Sequence, residues 1–109
     1  MTENEIKLKA IAALTALRSD VDERIASDLL GEVIPEQFEV RTGATAEEAG
    51  FAVLAQLSEP LSALVNGFIL AFETVADAYD GTGAEPRTEV ILQELALRLA
   101  GDDFQEDGP

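Results

Sequence analysis

Apolar side chains recur every three or four positions through most of this chain, the period of a helix with one buried face. From residue 3 to residue 30 the stripe is Ile6, Ala10, Leu14, Leu17, Val21, Ile25 and Leu29. Acid-first pairs at i,i+4, Glu3 with Lys7, Glu5 with Lys9 and Asp20 with Arg24, support this helix from its surface. Ser19 followed by Asp22 is a competing N-cap that divides the segment in two. The stripe stays in phase across that point, so one continuous helix is expected, with Gly31 as its stop.

The helical period is lost over residues 32–44. Phe38 and Val40 alternate with Glu39 and Arg41, the pattern of a short strand. A lone strand leaves unpaired backbone groups, so it must pair with Val33 and Ile34, pair with another chain, or not be a strand. Thr45 and Glu48 then form a capping box ahead of Phe51, Leu54 and Leu57, which predicts a helix over 46–57. Ser58, Glu59 and Pro60 read as a new cap and first turn, opening a helix over 59–79. Gly81, Gly83 and Pro86 mark a loop, and a last helix follows over 86–100, with a Glu94–Arg98 pair on its surface and Gly101 as its stop. The expected fold class is all-α: a small bundle of about four helices over 3–30, 46–57, 59–79 and 86–100, with one short extended segment near 33–42. Residues 1–101 are expected to form a single helical domain and 102–109, which carry four acids and no base, an acidic disordered tail.

The stretch from Pro60 to Phe72 has no charged residue. It falls well short of the about 20 residues a transmembrane helix needs, so the choice lies between burial and a partner. Through Phe68 to Phe72 it is apolar all round, as in a helix surrounded by others. Ala63, Gly67 and Ala71 make a small-residue track along which another helix can approach closely, and Gly67 costs a helix about 1 kcal/mol relative to alanine unless packing requires it. Three flanking helices in so short a chain leave part of this girdle open, which points to a homodimer or higher oligomer. The residues singled out for interaction are Ala63, Gly67, Phe68, Ala71 and Phe72 on this helix, with Phe38 and Val40 on the extended segment.

Composition narrows the chemistry. There is no histidine and no cysteine, so the usual general base, the thiolate nucleophile and transition-metal sites are missing. The carboxylate pairs Glu47 with Glu48, Asp20 with Asp22 and Asp77 with Asp80 all fall at capping or surface positions. The acidic loop from Asp77 to Glu89 fails the calcium-loop pattern, since a residue-by-residue match puts Tyr79, Gly81 and Thr88 where oxygen ligands belong. No phosphate-binding glycine loop occurs. No enzyme activity, no cofactor and no metal are therefore expected.

Acids outnumber bases 22 to 7, for a net charge of −15, and that field repels nucleic acid and anionic lipid while attracting basic protein surfaces. The start, MTENEIKLKA, begins with acids and lacks an uninterrupted apolar region, so a signal peptide is not expected and the cytoplasm is the expected location. The sequence thus points to a non-enzymatic acidic helical interaction or assembly module. Its expected partners are itself, a larger protein for which a basic surface fits the charge, or both, with no direct nucleic acid and no membrane. A regulatory adaptor and a structural part of a phage-like particle both fit. The alternative is a nucleic-acid mimic that presents carboxylates to a basic DNA-binding protein.

Overall fold

The computed structural model describes residues 1–19 and 23–106. Four α-helices follow one another in these residues: α1 (Glu3–Arg18), α2 (Glu23–Gly31), α3 (Ala46–Gly81) and α4 (Thr88–Glu106). No strand occurs among the described residues, so the chain is all-α. It divides into two units, Met1–Ala71 and Phe72–Pro109, with α3 contributing to both.

The continuous helix expected over 3–30 is two helices. Thr2 caps α1 by accepting from the Glu5 N–H (3.1 Å), and Ser19 ends it by donating its own N–H to the Ala16 carbonyl (3.3 Å). Near that end the hydroxyls of Thr15 and Ser19 each donate to the carbonyl four residues back, at 2.9 and 2.6 Å. Such back-bonds compete with the backbone ladder and weaken a helix locally. The break also shifts the buried phase: Ala13 and Ala26 are buried, whereas Leu17 and Ile25 of the expected stripe are exposed. Asp20, Val21 and Asp22, on which the Arg24 pair, the stripe and the alternative cap depended, lie outside the described residues, as do 107–109 of the tail.

Between α2 and α3 the alternation of Phe38, Glu39, Val40 and Arg41 does not make a strand. The reason is Gln56, on α3. Its side-chain oxygen accepts from the Glu39 N–H (2.8 Å), and its side-chain nitrogen donates to the Glu39 carbonyl (2.6 Å). One amide thus takes the place of a neighbouring strand and satisfies both backbone groups. Arg41 pairs with Glu48, and Glu48 closes the expected capping box with Thr45, whose hydroxyl accepts from the Glu48 N–H at 3.1 Å. Replacing Gln56 by the near-isosteric leucine removes the clamp at a net cost of about 1 kcal/mol, since water can reach Glu39. Amide hydrogen exchange should then run roughly tenfold faster at Glu39 while α3 keeps its protection. Unchanged exchange at Glu39 would show that the clamp holds nothing.

The helices expected over 46–57 and 59–79 are one, α3, which runs through Ser58 and Pro60. A proline here removes the bond to the Gln56 carbonyl and ordinarily costs about 3 kcal/mol in a helix interior. Pro60 is half-buried and lines a groove of about 690 Å³ together with Ile6, Val33 and Pro35. Ile6, Val33 and Ala63 form the core of the first unit, with Leu64 packed against them. Lys9 of α1 pairs with Glu32 after α2, instead of with Glu5, and Lys7 pairs with Glu3 at 3.4 Å as expected.

In the second unit the loop after α3 is tied at several points. Gly83 turns it at φ +75°, in the left-handed region. The Tyr79 hydroxyl donates to the Pro86 carbonyl (2.6 Å), and one Asp80 carboxylate oxygen accepts from both the Thr88 N–H and the Thr88 hydroxyl (2.9 Å each). Asp80 therefore caps α4 from across the loop. α4 begins at Thr88 rather than 86 and runs past Gly101, the expected stop, to Glu106.

Candidate interaction surface

The structure gives the carboxylates structural work. The Thr88 N–H holds the Asp80 carboxyl below its ordinary value, opposed in part by burial and reinforced more weakly by the Thr88 hydroxyl and the nearby Arg87 charge. A proton-transferring carboxylate at neutral pH needs the opposite direction. Glu48 is engaged by Arg41 and Thr45, and Glu3 and Glu32 by lysines. Among the described residues no group of three or more acids is gathered to hold a metal ion.

Apolar surface is the prominent feature instead. Among the described residues the buried apolar ones are Ile6, Ala10, Ala13, Ala26, Val33 and Ala63, and no large side chain is fully buried. Most of them are alanines, so the core removes little apolar area from water. In the second unit none of the described residues is buried, although that unit carries Phe72, Val75, Val90, Ile91, Leu92, Leu95, Leu97 and Leu99. On α4, Ile91, Leu92, Leu95 and Leu99 share one side of the helix and Val90 and Leu97 lie on another. A helix apolar on two sides requires two neighbours.

The residues singled out from the sequence separate into two groups. Ala63 and Gly67 are buried against α1: a Cβ built on Gly67 would stand 3.0 Å from both the Ala10 Cβ and the Lys7 Cα. The small-residue track therefore packs inside the chain, with Ala71 half-buried at its end. Phe68 is half-buried and Phe72 exposed, as are Ile69 and Leu70 between them, so α1 covers only one side of the girdle. Phe38 is half-buried beside the Gln56 clamp and Val40 is exposed. The continuous helix over 46–81 brings out further apolar residues that were not singled out for interaction, Phe51, Leu61, Val65 and Val75, all exposed on α3.

By length and composition α3 is also able to cross a membrane: it has 36 residues, with a mean hydropathy of 1.4 over its most apolar 18-residue window and 11% of that window buried. These features define a small all-α protein with an underfilled core and extensive apolar helix surface. Comparison with known protein families, with curated proteins and with solved structures finds no match.

Proposed function

We propose that this chain is a non-enzymatic interaction or assembly module whose apolar helix faces are completed by protein partners. The observation that carries this reading is the second unit, where eight large apolar side chains among the described residues all lie exposed. Covering a half-exposed side chain of this size contributes roughly 1 kcal/mol, so the eight together offer about 8 kcal/mol, comparable to the whole stability of a small domain. Most helical stability in proteins comes from packing of an apolar face, which gives that energy a role in ordering α4.

Protein is favoured over lipid as the covering surface by what packs on α3. Ala63 and Gly67 lie against α1, whose first two turns carry Glu3, Glu5, Lys7 and Lys9. A bilayer around α3 would draw those charges into hydrocarbon. Mimicry of nucleic acid draws less support, since Glu3, Glu32, Glu48 and Asp80 serve pairs and caps within the chain.

Gel filtration at 0.1 M and 1 M NaCl tests the reading. Apolar association persists at 1 M salt, where screening acts within about 3 Å. An assembly that falls apart at 1 M salt would transfer the role to the charges and favour the mimic.

A further inference from the structure

The continuity of α3 reveals a pattern that a break at Ser58 conceals. Phe51, Leu54, Ser58, Leu61, Val65 and Phe68 follow one another at alternating steps of three and four. Phe72 and Val75 of the second unit keep the same spacing. That is the a/d register of a coiled coil, with Phe51, Ser58, Val65 and Phe72 at a and Leu54, Leu61, Phe68 and Val75 at d. In this register Ala63 falls at f and Gly67 at c, the side directed away from the seam, and those are the two α3 residues buried against α1. α3 therefore uses one side within its own chain and leaves the a/d seam open, with Phe51 64% and Leu54 62% exposed.

We infer that this seam binds the same seam of a second copy of the chain, an inference that rests on the interaction reading above and names its partner. The charge pattern selects the partner. Every acid of α3 between Gly50 and Asp80, namely Glu59, Glu73, Asp77 and Asp80, falls at b or f. The flanking e and g positions from Gly50 to Ala71 hold no charge at all. Two chains of net charge −15 can thus meet along the seam without placing carboxylates opposite one another. A basic partner would find no acid at the flanks to recognise, which removes the basis for a charge-selected heterologous helix. Within the first unit, a depression of about 440 Å³ opens on it among Leu54, Leu61 and Val65, where the small Ser58 and Ser62 interrupt the larger side chains. Such a recess is a hole for apolar knobs of the facing helix.

The test uses the full chain, with masses from sedimentation at about 50 µM and helicity from circular dichroism. Leu61→Glu and Val65→Glu each place a charge in the dimer seam at a position that is exposed in the single chain. Each should weaken the dimer by about 100-fold or more. Because a weakened dimer can also lose structure, Ser58→Leu provides the converse: it fills the recess and should tighten the dimer by roughly tenfold. Leu8→Glu, exposed on α1 of the first unit, is the control and should leave the mass unchanged. A wild-type assembly that ignores all three seam variants would overturn the seam and leave the interaction reading standing. A wild-type chain that stays monomeric would overturn the second copy as the partner.

Discussion

Replacing Gly67 with leucine should lower the melting temperature by roughly 10 °C. Two opposing effects set the size of this loss. Leucine is the better helix former by close to the full glycine penalty, about 1 kcal/mol. Against that, its Cβ would stand 3.0 Å from the Ala10 Cβ and from the Lys7 Cα, and the latter is backbone that cannot rotate away. Overpacking of this kind costs about 3 kcal/mol when α1 must move off α3. The difference, near 2 kcal/mol, corresponds to the stated shift for a domain of this size. Gly50→Ala provides the contrast on the same helix. Nothing lies within 4 Å of a Cβ at Gly50, so only the propensity gain remains and stability should rise by about 0.5–1 kcal/mol. Thermal melts of the two variants followed by circular dichroism check the pair. Equal effects at both positions would show that α1 does not press on Gly67.

The same geometry shows what the sequence can disclose. A close approach at Ala63 and Gly67 is legible from their spacing, because only small residues let two helix backbones meet. The identity of the neighbour is not, since α1 is more than fifty residues away along the chain. The Thr45–Glu48 capping box and the stop at Gly31 are local chemistry and are correctly anticipated. The strand pattern at Phe38 to Arg41 misleads for the opposite reason. Its alternation is that of an edge strand, and nothing nearby signals that a glutamine seventeen residues on will take both backbone groups. Ser58-Glu59-Pro60 misleads because a cap and a first-turn proline have the same residues as a tolerated mid-helix proline. Dividing the helix there restarts the count, and the seven-residue step from Leu54 to Leu61, which carries the seam across, goes unseen.

The second large effect concerns concentration. If the exposed seam of α3 is covered by a second copy, folding and association are linked, and only the associated form has its apolar surface removed from water. The melting temperature must then rise with protein concentration, each tenfold increase adding about 1.4 kcal/mol to the stability of the dimer. A monomer that buries its own core shows no such dependence. Here the buried apolar residues are mostly alanines, and the larger side chains, such as Val75 at 68% exposed and Leu97 at 73%, lie open. Melts spanning about 1 to 100 µM should therefore shift upward by several degrees.

The most direct test of self-association is the mass of the unaltered chain in solution, by sedimentation equilibrium over the same range. The expected result is a species of twice the 11.6 kDa chain mass at tens of micromolar, giving way to the single chain only on dilution. A mass of 11.6 kDa at every concentration, with one cooperative unfolding transition, would contradict it.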